Sequence, residues 1–211
     1  MISAIISGAG GQLGLAFKDR LNFTDGYSIF SFDHAQLNIA DQDKIHRTIA
    51  SLPQVRYWIN CAAFTKVDEA EKNEKGATLY NALAPGYLAR ACWEAGVHLF
   101  HFSSDYVYHN HLRRPLKEDD PTEPKGVYAR TKLEGEQEIV YSGVSHTILR
   151  TSWVYGPGGH NFVNTMLRLG KMNSELKIVG DQVGAPTFTF DIVDVVKDII
   201  NLYEEEQKGD E

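Results

Sequence analysis

A short apolar run, Ile2 to Ser7, breaks into Gly8-Ala-Gly-Gly-Gln-Leu-Gly14 and passes at once into a helical pattern of Leu13, Phe17 and Leu21. A strand, a glycine turn and a helix N-terminus in that order let backbone N–H groups approach a pyrophosphate with no Cβ in the way. The spacing is Gly-x-x-Gly-x-x-Gly with an additional Gly10, which departs from the Gly-x-Gly-x-x-Gly form of the dinucleotide fingerprint. A tight strand-to-helix turn that holds no ligand has the same sequence, so the rest of the chain must decide between them.

Strands and helices alternate from there on. Tyr27 to Phe32 reads as a second strand ending at Asp33, about 20 positions beyond the glycine turn, where an acidic side chain can accept from a ribose 2′-OH and repel a 2′-phosphate. This favours NADH over NADPH, with His34 softening the preference; a plain strand-end turn residue is the alternative. Asp41 is placed to cap the next helix. Val55 to Asn60 is a third strand, and the small Ala62 and Ala63 after it leave room for a phosphate and ribose or for a packed helix. A helix is expected from Ala77 to Ala95 with Pro85 inside it. Proline cannot donate to the carbonyl of Asn81, which is then free to hold a water on a proton path toward Lys132. Val97 to Phe102 is the fourth strand, and it opens into Ser103-Ser-Asp-Tyr-Val-Tyr108. Val144 to Leu149 is the fifth, followed by Arg150-Thr-Ser-Trp-Val-Tyr-Gly156 and a helix from Asn161-Phe162. Leu176 to Val179 reads as a sixth short strand, Phe190 to Tyr203 as the final helix, and Glu204 to Glu211 as a solvated tail.

Strands alternating with helices imply an α/β fold, a Rossmann-type doubly wound parallel sheet whose ligands collect beyond the carboxyl ends of the strands. Gly8 to Gly14, Asp33, Ala62 and Ala63, Ser104, and Arg150 to Trp153 all fall on that rim. Residues 1–150 are read as the dinucleotide-binding domain and 151–211 as a partial substrate-binding lobe interwoven with it. On the same rim the chemistry is suggested by Tyr128-Ala-Arg-Thr-Lys132. Side chains four apart share a helix face, so an ammonium can lie beside a phenol and pull its pKa down from about 10. The Ser104 hydroxyl can donate to a ketone oxygen from the other side. An ordinary amphipathic helix with a half-buried tyrosine also contains this spacing.

Composition narrows the class. Across 211 residues the formal charge is −7 with no basic cluster, which argues against a nucleic-acid partner. Cys61 and Cys92 lie in apolar sequence and read as buried thiols of a reducing compartment. His109-Asn-His111 sits in a polar loop and reads as surface, and no metal site is expected. The apolar N-terminus lacks a basic leader, and no apolar run approaches the ~18 residues of a membrane span, so the expectation is a cytoplasmic protein.

Taken together, the segments 8–14, 60–71, 103–108, 127–136, 150–156, 161–169 and 181–187 strongly resemble the dTDP-4-dehydrorhamnose reductases of the extended short-chain dehydrogenase/reductase superfamily. The resemblance implies NADH- or NADPH-dependent reduction of the 4-keto group of a nucleotide-linked 6-deoxyhexose. It implies Tyr128 as proton donor, Lys132 as its partner and a bond to the nicotinamide ribose, and Ser104 as the ketone-polarising hydroxyl where the family usually carries threonine. The cofactor contacts it implies are Gly8, Gly10, Gly11, Gln12, Leu13, Asp33, Asn38, Ile39, Ala62, Ala63, Thr65 and Ser103, together with Tyr128 and Lys132. On the substrate side it implies Ser104, Asp105, Tyr106, Trp153, Asn161, Gln182 and Thr187, with Phe162 nearby. Asn38 stands where the family often has an acidic residue. Family members usually continue some tens of residues past the final helix, completing the substrate domain and part of a metal-linked dimer contact. The chain is therefore expected to be either a truncated piece of such a protein or a short homologue with a more open substrate side, and a homodimer through the Tyr128 helix is implied by resemblance alone. A sugar-nucleotide epimerase or dehydratase shares the architecture. So does a non-catalytic cofactor-binding subunit such as the regulatory subunit of methionine adenosyltransferase.

Overall fold

Five parallel strands lie in the order β2-β1-β3-β4-β5: β1 (Ile2–Ser7), β2 (Tyr27–Phe32), β3 (Val55–Asn60), β4 (His98–Ser104) and β5 (His146–Thr151). The coordinates are a computed structural model and describe residues 2–21, 27–109, 112 and 114–209. All five strands run the same way, so their carboxyl ends share one rim. The chain crosses from β1 to β2 on one side and returns to β3 on the other, which opens a crevice between β1 and β3.

Helices cover both faces because alternate strand residues are apolar on both. On one face Ala4, Ile6, Tyr57, Ile59, Phe100 and Phe102 pack against Phe17 of α1 (Gln12–Leu21) and against Val193, Val196 and Ile200 of α8 (Thr189–Gly209). On the other, Ile5, Trp58 and Leu99 meet Ile45 of α2 (Gln42–Ser51), Leu88 and Cys92 of α5 (Ala84–Ala95) and Ile139 of α6 (Gly126–Ser142). Asp41 caps α2 as expected, accepting from Lys44 N–H at 3.0 Å. The remaining elements are α3 (Val67–Ala70), α4 (Glu74–Thr78), β6 (Val154–Tyr155), α7 (Phe162–Gly170) and β7 (Thr187–Phe188), with β6 and β7 pairing in parallel.

Four expectations change. The helix around Pro85 starts earlier, as α4, and passes through a π-helical turn, Leu79–Leu83, before α5. Ala84 N–H reaches Leu79 O five residues back, and the widened turn brings Pro85 into the first turn of α5, where its missing donor is tolerated. Leu176 to Val179 forms no strand: Ile178 and Val179 are 55% and 66% exposed, with no neighbouring strand to pair with among the described residues. The final helix does not fray at Tyr203 but runs to Gly209, because Glu204 is anchored: Tyr57 Oη donates to it at 2.6 Å and Arg56 at 2.8 Å. Strands β4 and β5 end two residues later than their apolar runs, so Ser103, Ser104, Arg150 and Thr151 are strand residues. His109 packs its ring on Tyr106 at 4.5 Å, whereas Asn110, His111 and Arg113 lie outside the described residues. Both cysteines are free, Cys92 buried and Cys61 half-buried. Among the described residues no helix is long and apolar enough to cross a membrane.

Candidate active site

The glycine turn closes over the β1–β3 crevice because nothing larger fits. Gly8 has φ +73°, and a Cβ there would lie 2.6 Å from Ala62 N; one on Gly14 would lie 2.3 Å from Gly8 O. Gly11 N–H donates to Gly8 O at 3.0 Å, which leaves the first turn of α1 facing the rim. Gly10 points toward Asp33, whose Cβ is 3.6 Å from where a Cβ would stand. Asp33 is exposed at the end of β2 and accepts from Gln36 N–H at 2.9 Å. Asn38 accepts from Ala40 N–H at 3.0 Å, while the Ile39 side chain is spent in the core beside Leu37. Ala62 and Ala63 follow β3, and Thr65 is exposed beyond them.

Asn81 holds that segment in place. Its side chain accepts from Phe64 N–H at 2.8 Å and donates to Phe64 O at 3.0 Å, while its own carbonyl is turned onto Gly135 of α6. A Cβ at Gly135 would stand 2.0 Å from that oxygen, so only glycine lets α6 come this close.

At the end of β4 the catalytic candidates converge. Ser104 Oγ accepts from Tyr106 N–H and donates to Asp105 Oδ1, both at 3.2 Å, beside the Tyr128 phenol. The Tyr106 and Tyr128 rings meet edge to face, 5.9 Å apart. Burial pushes the Tyr128 phenol above its ordinary 10, and the Asp105 charge adds to this; the Ser104 hydroxyl opposes it. Burial raises Asp105 as well, against its bond to Ser104. Lys132 is fully buried, donates to Phe102 O at 2.6 Å, lies 3.4 Å from His101 Nε2 and is pushed by burial down to about 8. Tyr128 and Lys132 stand four residues apart on α6, and the lysine amine donates to Phe102 O of β4.

On the far side several candidates prove to be ties between elements. Gln12 donates to Val154 O at 2.9 Å and accepts from Asn161 Nδ2 at 2.6 Å; Asn161 also donates to Gly156 O and caps α7 through Asn164 N–H. Thr187 Oγ1 donates to Ser152 O at 2.8 Å. Trp153 has φ +45°, is 45% exposed and lays its indole on Gly184; Gln182 is exposed near it. Arg150, expected on the rim, turns back instead: it forks Glu136 at 2.6–3.2 Å and donates to Tyr108 Oη at 2.6 Å. An open groove beside the edge strand β5 is lined by Asp105, Leu116, Leu133, Val183 and Gly184 among others. Four positions given no role in the sequence analysis shape the site: Asn60, His101, Gly135 and Glu71, which accepts from Val127 N–H at the start of α6.

The site fits a dinucleotide on its own geometry. The glycine cradle at Gly8 and Gly14 leaves backbone exposed where side chains are excluded, and the buried Ser103 Oγ, at the carboxyl end of β4 on the same rim, has no hydrogen-bond partner among the described residues. Residues 2–209 match the family model described as the RmlD substrate binding domain. The chain belongs to this family. It is 40% identical over 196 residues to the Bacillus subtilis spore coat polysaccharide biosynthesis protein SpsK, covering 93% of this chain and 69% of that protein. It is 39% identical to the dTDP-4-dehydrorhamnose reductase of Mycolicibacterium smegmatis, over 93% of this chain and 60% of that one. Among solved structures, the Bacillus anthracis dTDP-4-dehydrorhamnose reductase in complex with NADP superposes with a TM-score of 0.91 at 36% identity, over 94% of this chain and 70% of that one. The chain thus spans about two thirds of the length of these family members.

Proposed function

We propose that this member of the RmlD family reduces the 4-keto group of a nucleotide-linked 6-deoxyhexose with NADH or NADPH. The observation that carries the reading is the buried Tyr128 phenol, protonated at neutral pH beside Ser104, on the rim that also holds the glycine cradle. A bound reduced nicotinamide supplies hydride to the carbonyl carbon. Tyr128 gives its proton to the carbonyl oxygen, and Ser104 holds that oxygen in line. Gly8, Gly10 and the first turn of α1 offer N–H groups to the pyrophosphate, Gly11 N–H being given to Gly8 O, and Ser103 Oγ offers the cofactor an unused donor. Asp33, open to solvent at the end of β2, suits ribose hydroxyls and favours NADH. The keto sugar lies over Ser104, Asp105 and Tyr106 toward Trp153 and Gln182. Asn161 and Thr187, whose polar atoms are engaged by Gln12, Asn164 and backbone carbonyls, shape its wall from behind.

The test is oxidation of NADH and of NADPH, followed by absorbance, with a dTDP-4-keto-6-deoxyhexose. Tyr128→Phe is expected to lower turnover by about 10²–10⁴-fold with cofactor affinity unchanged. Cofactor binding without turnover in the wild type would overturn the reading in favour of a cofactor-binding subunit.

A further inference from the structure

Gln12 opens α1 and belongs to both halves of the site at once. The backbone of its turn faces the rim, whereas its side chain crosses to the far lobe: the amide nitrogen donates to Val154 O at 2.9 Å, and the amide oxygen accepts from Asn161 Nδ2 at 2.6 Å. The partners fix that orientation. A backbone carbonyl can only accept, and the Asn161 oxygen is already taken by Asn164 N–H at 2.8 Å, which leaves the Asn161 nitrogen to face Gln12. Asn161 is buried and also donates to Gly156 O at 3.0 Å. The chain between these bonds lies on α1 itself. Gly159 has φ +76°, and a Cβ there would stand 2.9 Å from Gln12 Cβ, while one on Gly158 would meet Leu15 Cδ1 at 3.4 Å. Hydrogen bonds and glycine packing together hold the stretch from Val154 to Asn161 to the first turn of α1.

The residue just before this anchor is Trp153, which at φ +45° keeps a bulky side chain in the left-handed region. Such a conformation relaxes to negative φ unless its surroundings over-determine it. On the lobe side Thr187 N–H donates to Trp153 O at 3.4 Å and Thr187 Oγ1 donates to Ser152 O at 2.8 Å. The indole lies on Gly184, where a Cβ would come within 2.6 Å of the ring. From the dinucleotide side the bond is that of Gln12 to Val154 O, one residue further on. We infer that Gln12 is a positioning residue that couples the dinucleotide turn to Trp153. A cofactor whose pyrophosphate orders the first turn of α1 favours the Gln12 bond, and that bond holds the indole in place for the sugar. What binds at each end rests on the reductase reading. Coupling is reciprocal, so a sugar nucleotide bound against Trp153 also tightens the cofactor. The ligands select between two states: Trp153 held at positive φ with Gln12 engaged, and Trp153 relaxed with Gln12 released.

The experiment is fluorine NMR of the whole chain labelled with fluorotryptophan, Trp153 being told from Trp58 and Trp93 by the Trp153→Phe spectrum. NADPH alone is the first probe, and the Trp153 signal is expected to move and sharpen as it binds. Gln12→Met keeps the side-chain length and removes both bonds. Its Trp153 signal should lie elsewhere in the free protein and no longer follow the cofactor, while unmoved Trp58 and Trp93 signals show that the fold is intact. The second probe is a dTDP-linked 6-deoxyhexose alcohol, which cannot react with a reduced cofactor. It should tighten NADPH binding about fivefold or more in the wild type and less than about twofold in Gln12→Met. A Trp153 signal that ignores bound NADPH, or a response and a tightening that are the same in both proteins, would overturn the inference. Both readouts report binding, so absence of reductase activity would remove the proposed reaction and leave the coupling standing.

Discussion

Gly135 does more for the active site than several residues that touch it. Its missing Cβ is what lets the Asn81 carbonyl sit against α6, and a methyl group there would meet a backbone oxygen at 2.0 Å. Gly135→Ala should therefore cost about 1–3 kcal/mol through overpacking, against the small gain that alanine usually brings to a helix interior. Urea unfolding of the two proteins would show the loss, and an unchanged midpoint would mean that α6 shifts freely. The residue scale is also where the sequence was least readable. Tyr128, Lys132 and Ser104 stood out because their spacing and strand-end position suggest chemistry. His101 and Asn60 did not, because each is a polar residue in a mostly apolar strand, and only strand register places them side by side. The Lys132 contact with Phe102 O was hidden for the same reason, since helix spacing does not tell which strand carbonyl a buried amine meets.

Among the elements, α6 carries the site, yet its first turn has no cap of its own; Lys125 makes no side-chain bond there. Glu71, from the segment after α3, accepts Val127 N–H at 2.6 Å and sets a carboxylate at the positive end of the helix. Glu71→Ala should cost about 1–2 kcal/mol, as loss of a capping side chain does, and loosen the turn that bears Tyr128. Faster amide exchange at Tyr128 and Ala129 than at Ile139 would show this, whereas uniform exchange along α6 would refute it. Element types were legible from periodicity where packing obeys it: β1 to β3, α2 and α7 stand where the pattern of apolar residues places them. They were illegible where a distant partner decides. Leu176 to Val179 has the composition of a strand and no strand beside it among the described residues, and Glu204 looks like tail until Tyr57 and Arg56 reach it across 147 and 148 residues.

For the whole molecule, two histidines on β4 tie stability to pH. Burial holds His98 down at about 4, with the His146 charge adding to this, and holds His101 well below its ordinary 6.5. Unfolding restores ordinary values, so below about 6.5 the unfolded chain binds protons that the fold refuses, and stability falls as the pH drops toward 4. Urea midpoints should decline through that window and the decline should be shallower in His98→Phe; a flat profile would contradict the assignment of neutral histidines. The buried hydrogen bonds between Ser7 and Asn60 and between Asn60 and His101 also bear on how the sheet assembles. Ser7, Asn60 and His101 meet only when β1, β3 and β4 pair in one register. A slip of one residue on any of these strands would turn its polar member to the opposite face, among apolar side chains and without a partner. The hydrogen-bonded row of Ser7, Asn60 and His101 thus also works as a key for strand alignment, selecting one register for three largely apolar strands.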